Sequence, residues 1–179
     1  MVLDPSGFGS APLGPLSGEG WRHLSPLYDP LSGEGARIRG GRFNPPGSFP
    51  VLYICRSRPC VVSELERLGT SEGIGVEALL PRTLYKYDLV LERVLDLTNP
   101  TMRAGIGVDL DVLLAPDWTV CQQIGVAFHA LGAQGIVSPS ATGVGEVLAL
   151  FIQNLGMGHV GPSYLEQWSV RSDIDEHTT

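Results

Sequence analysis

The chain has 179 residues, 43% of them hydrophobic and 17% charged, with a formal net charge of -7 and a single lysine, Lys86. That length suits one domain, and the acidic balance argues against a general polyanion-binding surface, which needs many cations to neutralise many phosphates. No basic stretch followed by an apolar core opens the chain and no apolar run approaches the ~20 residues needed to span a bilayer, so the cytoplasm is the expected compartment.

Residues 1–20 are rich in Gly, Pro and Ser and short of large apolar groups, and they read as a mobile leader. PLSGEGWR (Pro15 to Arg22) and PLSGEGAR (Pro30 to Arg37) are near duplicates, but two copies do not build a stacked repeat. The first copy reads as incidental. Trp21 to Leu24 suits a short strand, followed by a glycine-rich turn segment through Pro46. FPVLYIC (Phe49 to Cys55) is an apolar run of strand length, as expected of a strand buried on both faces.

Ser57 and Pro59 are the cap and first-turn proline of a helix through about Leu68, with Val61, Leu65 and Leu68 on its apolar stripe. Glu64 sits at the border of that stripe and Glu66 points further out. Leu84 to Thr98 reads as one long or two broken strands, ended by Asn99-Pro100. Asp117 is the expected cap of a helix from Trp118 to about Leu131, on which His129 reads as structural or surface-exposed. Short strands are expected at Gly135 to Val137 and Val147 to Asn154, and a polar tail, residues 173–179, that frays along with His177. The order lacks a regular βαβ rhythm, so the expectation is an α+β fold: one domain over residues 21–172 with a mixed, split sheet.

Several chemistries lack their usual signals. There is no Walker loop, no GxSxG elbow, no HExxH and no zinc spacing, and Cys55, Cys60 and Cys121 form no CxxC pair, so they read as buried thiols with no metal. Thr142-Gly143-Val144-Gly145 is too weak for a dinucleotide fingerprint. What remains is Arg42, which follows two glycines that admit close approach of a ligand and precedes the rigid turn Phe43-Asn44-Pro45-Pro46. Such an arginine can fork onto a phosphate, or pair with Glu34 as a solvated loop residue. Tyr53 in the buried strand, Glu64 on the next helix and Ser140 after Pro139 are polar groups that each also have an ordinary structural explanation.

Their order along the chain is distinctive. Gly40-Gly41-Arg42-Phe43-Asn44, then Tyr53, then Glu64, and far downstream Gly135-Ile136-Val137-Ser138-Pro139-Ser140-Ala141 together resemble the RES-domain family, the toxin half of bacterial RES–Xre toxin–antitoxin systems. The resemblance covers about Trp21 to Asn154, and Asp117 to Gln122 resembles the NAD-degrading mycobacterial members. It implies a fold similar to ADP-ribosyltransferase toxins and cleavage of the nicotinamide–ribose bond of NAD, with phosphate or water as acceptor. NAD would then be substrate, phosphate a possible co-substrate, and no resident cofactor is implied. The family's essential Arg, Tyr, Glu and Ser fall on Arg42, Tyr53, Glu64 and Ser140, and its first-strand arginine on Arg22. His23 stands where a tyrosine usually follows. Gly41, Asn44 and Arg39 join Arg22 and His23 as expected substrate-binding positions, with Arg37 a second choice beside Arg39. Glu66 and Ser138 are the alternatives to Glu64 and Ser140.

These roles agree with the chemistry. Cleavage at the anomeric carbon passes through an oxocarbenium-like state that one carboxylate, Glu64, can stabilise. Arg22 and Arg42 would hold the pyrophosphate, Tyr53 would pack on the nicotinamide or ribose, and Ser140 would hydrogen-bond the amide or a hydroxyl. The implied partner is an Xre-type antitoxin that blocks the active site, with no membrane or nucleic-acid partner. The competing readings are an ADP-ribosyltransferase that modifies a protein and an RGG-type nucleic-acid module, for which the aromatic interleaving is poor.

Overall fold

The structure, a computed structural model, describes residues 5–176. In chain order its elements are β1 (Gly14–Leu24), α1 (Glu34–Arg39), β2 (Val51–Cys55), α2 (Arg58–Ser71), β3 (Arg82–Asp96), α3 (Pro100–Gly105), α4 (Leu110–Leu114), α5 (Thr119–Ala130), β4 (Gly135–Pro139), β5 (Glu146–Phe151), β6 (His159–Trp168) and α6 (Arg171–Asp175). The α+β reading holds: the strands form one mixed sheet in the order β1-β2-β5-β4-β3-β6. Among the described residues only the β3–β4 pair is parallel.

The long strand β3 shapes the molecule. Its first part pairs with β1 on one side and β6 on the other, and its last residues pair with β4. Because β1 also touches β2 at Trp21 and Cys55, strands β1, β2, β5, β4 and β3 close on themselves. Leu52, Ile54, Leu148 and Leu150 face inward against Tyr87, Leu89 and Leu91. The alternate residues face outward, Val51, Ala149 and Phe151 against α5, and Cys55 and Val147 against α2. Burial on both faces is why Val51 to Cys55 is an unbroken apolar run.

The helix starts follow their capping residues. Ser57 accepts a hydrogen bond from the Cys60 N–H, with Pro59 in the first turn of α2, and Asn99 caps α3 through the Thr101 N–H. The Asp117 carboxylate accepts from both the N–H and the hydroxyl of Thr119, so α5 begins one residue later than its expected start.

Three expectations need correction. First, the leader does not extend to residue 20: Gly14 onward is β1, paired along β3, and Phe8 is buried with its ring 5.5 Å from that of Phe128. Glycines that suggest disorder are required here by close packing, since a Cβ on Gly20 would lie 2.5 Å from the Ile54 side chain. Second, the first octet copy is part of this strand, and Arg56 donates to the carbonyls of Ser17 and Glu19. The second copy, nearly identical, forms a turn and the start of α1. Third, the described part of the tail continues as α6, with Ile174 fully buried in the cluster of Leu65 and Trp168 and the Asp173 carboxylate accepting from the Ser169 and Val170 N–H groups. Residues 1–4 of the expected leader and 177–179 of the expected tail, including His177, lie outside the described residues.

If α6 is part of the core, Ile174→Ala should lower stability by about 2 kcal/mol or more, the usual cost of emptying a buried isoleucine site. Urea unfolding checks this, and an unchanged midpoint would mean the segment is not docked.

Candidate active site

The glycine-arginine segment after α1 is a clamped turn. The N–H of Gly41 donates to the Asn44 carbonyl at 2.8 Å, and the Tyr53 phenol lies so close to Gly41 that a Cβ there would be 2.5 Å from the phenol oxygen. The Tyr53 hydroxyl accepts from the Phe43 N–H at 2.8 Å and donates to Asn44 Oδ1 at 2.9 Å. Asn44 Nδ2 donates to the Ala36 carbonyl, and Gln122 Nε2, from α5, donates to the Gly41 carbonyl at 3.0 Å. Phe43 is buried in the core, and Gly125 admits its carbonyl against α5.

This clamp aims Arg42. Its Nη1 donates to the Pro139 carbonyl at 2.7 Å, while Nε and Nη2 are buried without a hydrogen-bond partner. The side chain lies over the Phe43 ring, 5.3 Å from its centroid, and only 9% of the residue is exposed. A buried guanidinium with unused donors is costly in isolation, so the arrangement suits an anion that supplies the missing acceptors.

Immediately after Pro139, the buried Ser140 hydroxyl donates to Glu64 Oε1 at 2.8 Å. Its one proton is used there, so the Thr142 hydroxyl at 2.7 Å is the donor toward Ser140, joined by the Thr142 N–H. Glu64 Oε2 accepts from Arg67 Nε at 2.9 Å at the half-exposed edge of α2. Close packing of α2 on the turn after Ser140 sets this register: a Cβ on Gly145 would be 2.9 Å from the Ser57 hydroxyl, and the Cys60 thiol donates to the Glu146 carbonyl.

The structure thus brings Arg42, Ser140 and Glu64 together from three distant segments. It also separates the alternatives. Glu66 pairs with Arg171 at 2.6 Å and belongs to the packing of α6, whereas the Ser138 hydroxyl, two residues before Ser140, is buried without a partner. Tyr53 has its hydroxyl committed to the turn, and burial pushes the phenol well above its ordinary range. Asn44 and Gly41 are likewise parts of the clamp. Arg22 donates to the carbonyls of Pro30 and Ser32 ahead of α1, and Tyr87 donates to the same Pro30 carbonyl. Among the described residues no hydrogen bond joins Arg22 or His23 to Arg42, Ser140 or Glu64. The His23 Nδ1 is shut away without a partner beside Trp168, and burial, reinforced by Arg82 and Arg22, lowers its pKa to about 3. Arg39 is exposed at the end of α1, and Arg37 pairs with Glu34. His129 stacks on Phe49 at 3.8 Å, a structural role, and the three cysteines are buried thiols.

A family profile described as RES domain matches residues 19–171. The chain belongs to the RES-domain family. A curated relative, NAD(+) phosphorylase MbcT of Mycobacterium tuberculosis, is 37% identical over 142 residues, 78% of this chain and 76% of that protein. Probable NAD(+) phosphorylase Rv3189 of the same organism is 31% identical over 148 residues, 82% of this chain and 70% of its own. Among solved structures, the M. tuberculosis MbcT–MbcA toxin–antitoxin complex contains a chain that superposes with a TM-score of 0.80 at 29% identity, covering 97% of this chain and 96% of that one. The RES domain here accordingly includes β1 from residue 19 and the start of α6.

Thr142 and Gln122 are site-supporting residues without an assigned role in the sequence reading. Gln122 sits one turn before Gly125 on α5, a polar residue beside a glycine on a buried helix face, and that pairing is the signal that could have found it. Thr142 follows Ser140 in a turn that many sequences could form, and offers no such signal.

Two predictions follow from the clamp and from His23. Tyr53→Phe keeps the ring but strands the Phe43 N–H and Asn44 Oδ1, so it should cost about 1–3 kcal/mol in denaturant unfolding; a substrate-stacking role alone would leave stability unchanged. Below pH ~6.5 the unfolded chain takes up a proton that folded His23 refuses until about pH 3, so stability is lost as pH falls through that window. His23→Gln should flatten the decline between pH 7 and pH 5 by roughly 1–2 kcal/mol, measured as unfolding free energy against pH.

Proposed function

We propose that the chain degrades NAD by phosphorolysis, breaking the bond between nicotinamide and ribose, and that it is the toxin of a toxin–antitoxin pair. The observation that carries this reading is the buried Arg42 guanidinium, with two donors unused, beside the Ser140–Glu64 pair. The names of the curated relatives support the substrate and the acceptor.

Arg42 offers Nε and Nη2 to the pyrophosphate, fixing the pose of the nicotinamide ribose. Ser140, held by Thr142, orients Glu64. The carboxylate accepts a ribose hydroxyl and stabilises positive charge as the carbon–nitrogen bond lengthens. The electron pair of that bond leaves with the nicotinamide ring nitrogen, so the leaving group is neutral and needs no acid. A phosphate oxygen then bonds to the anomeric carbon, giving ADP-ribose 1″-phosphate. On this reading NAD and phosphate are substrates and no resident cofactor takes part.

The same reading includes an ADP-ribosyltransferase-like lineage for the mixed sheet and a cytoplasmic place of action, where NAD is available. Among the described residues no helix is long and apolar enough to cross a membrane. The partner is an Xre-type antitoxin that blocks the site, supported by the complex in which the structural neighbour is found and by the exposed apolar side chains of Leu27, Tyr28 and Ile38.

The test is mass spectrometry of NAD products from purified protein with and without phosphate. Nicotinamide and the 1″-phosphate are expected; ADP-ribose alone would make water the acceptor, and labelled protein would make the chain a transferase. Arg42→Ala and Glu64→Gln should fold yet lose about 10²-fold or more in turnover, while Glu66→Gln stays active. No nicotinamide release from the unmodified chain under either condition would overturn the proposal.

A further inference from the structure

A cleft opens between the turn after β1 and the C-terminal end of α2. It encloses about 340 Å³ and is lined by Ser25, Tyr28, Arg39, Leu68, Glu72 and Arg82, among others. Two guanidiniums meet there against one carboxylate. Arg82 Nε is buried without a hydrogen-bond partner, and neither Arg39 nor Arg82 enters an ion pair among the described residues. Burial disfavours the charge on Arg82, an effect that Glu72 and Tyr28 oppose. This cleft has the composition of an anion site: forked donors, two hydroxyls and incomplete neutralisation.

Its position ties it to the Glu64 cluster. Arg39 stands three residues before Arg42, at the other end of the same two-glycine step. Leu68 lies four residues beyond Glu64 on α2 and Glu72, the C-capping residue, eight beyond it, a rise of about 12 Å at 1.5 Å per residue. The cleft therefore borders the C-terminal end of the helix whose second turn carries Glu64, with Arg39 reaching it from the end of α1 and Arg82 from the start of β3.

We infer that Arg39 and Arg82 form a phosphate-binding extension of the active site, with Ser25 and Tyr28 as auxiliary hydroxyl donors. This rests on the proposed NAD reading for the source of the phosphate, which is either the dinucleotide's pyrophosphate or the inorganic co-substrate. Both present the same oxyanion to the arginines. Glu72 keeps the cleft from being strongly cationic and so weakens its affinity for small anions in general.

Arg39→Gln, at an exposed position, and Arg82→Lys, which keeps the charge but loses the fork, separate the sources in steady-state kinetics with NAD and phosphate varied independently. Loss of one charge-assisted contact should raise one KM roughly tenfold with kcat little changed. A rise confined to phosphate assigns the cleft to the co-substrate, and a rise confined to NAD assigns it to the pyrophosphate. Unchanged KM values in both variants would overturn the inference while leaving NAD degradation intact. Should the unmodified chain not consume NAD, calorimetric titration with ADP and with inorganic phosphate decides the matter separately. Binding of either anion that Arg39→Gln weakens roughly tenfold supports the cleft, and no binding of either by the unmodified chain overturns it.

Discussion

A buried guanidinium that leaves two donors unpaired is the constraint around which the site is organised. Each unmet donor costs on the order of 1–3 kcal/mol, and more when the group is charged, so the side chain would turn to solvent unless its backbone were held. The hold is local and redundant. Tyr53 and Gln122 each bridge the turn by hydrogen bonds, Asn44 ties it to α1, and Phe43 anchors it in the core. A buried phenylalanine contributes roughly 1.5–3 kcal/mol and each satisfied hydrogen bond about 0.5–1.5, which together offset an arrangement that the folded chain alone does not need. Strain of this kind persists where surrounding structure over-determines it.

The remaining members of the cluster depend on two rigid supports. Ser140 leaves the end of β4, a central strand flanked by β5 and β3, so its position follows from the sheet. Glu64 stands in the second turn of α2, whose start is fixed by the Ser57 cap and by the fit of Gly145 against Ser57 and Cys60. The α2 support cannot move without disturbing the outward core around Cys60, Val61 and Leu65, nor β4 without disturbing the packing of Ile136 and Val137. The separation of roles explains why Glu66, two residues along the same helix, takes no part: a rotation of about 200° turns it toward Arg171.

Much of this was legible because local chemistry and tertiary packing agree. The apolar run ending at Cys55, the Ser57-Pro59 helix start and the Asn99-Pro100 break follow from periodicity and caps, and each is found where expected, whereas Glu64 is singled out by the family resemblance and stands beside Ser140. Failures arise where packing outweighs composition. Gly14 to Gly20 reads as leader because glycine is a poor strand former, yet β3 supplies a continuous partner and Ile54 and Leu89 need the space that glycine leaves. The two copies of PLSGEG take up strand and turn-helix conformations, so six shared residues do not determine their own structure. β6 is not legible because, as an edge strand, it is mostly half-buried and shows no clean alternation. The surroundings of Tyr53 are illegible for a different reason: a phenol in a strand can face ligand or loop equally well in one dimension, and only the distances to Phe43 and Asn44 show its hydroxyl engaged with the turn.

The single carboxylate of the proposed reaction has a structural counterpart. A carboxylate offers about four lone-pair directions, and Glu64 spends one on Ser140 and one on Arg67. The Ser140 bond comes from the buried side and is backed by Thr142, so it fixes the plane of the group; the Arg67 bond comes from the exposed side and is easily exchanged for water. Glu64 is therefore oriented from within the protein while retaining acceptor capacity. An acid that must protonate a leaving group would need its proton held in place, whereas a group that only stabilises positive charge needs orientation and open acceptors, and this is the arrangement that Ser140 and Thr142 impose.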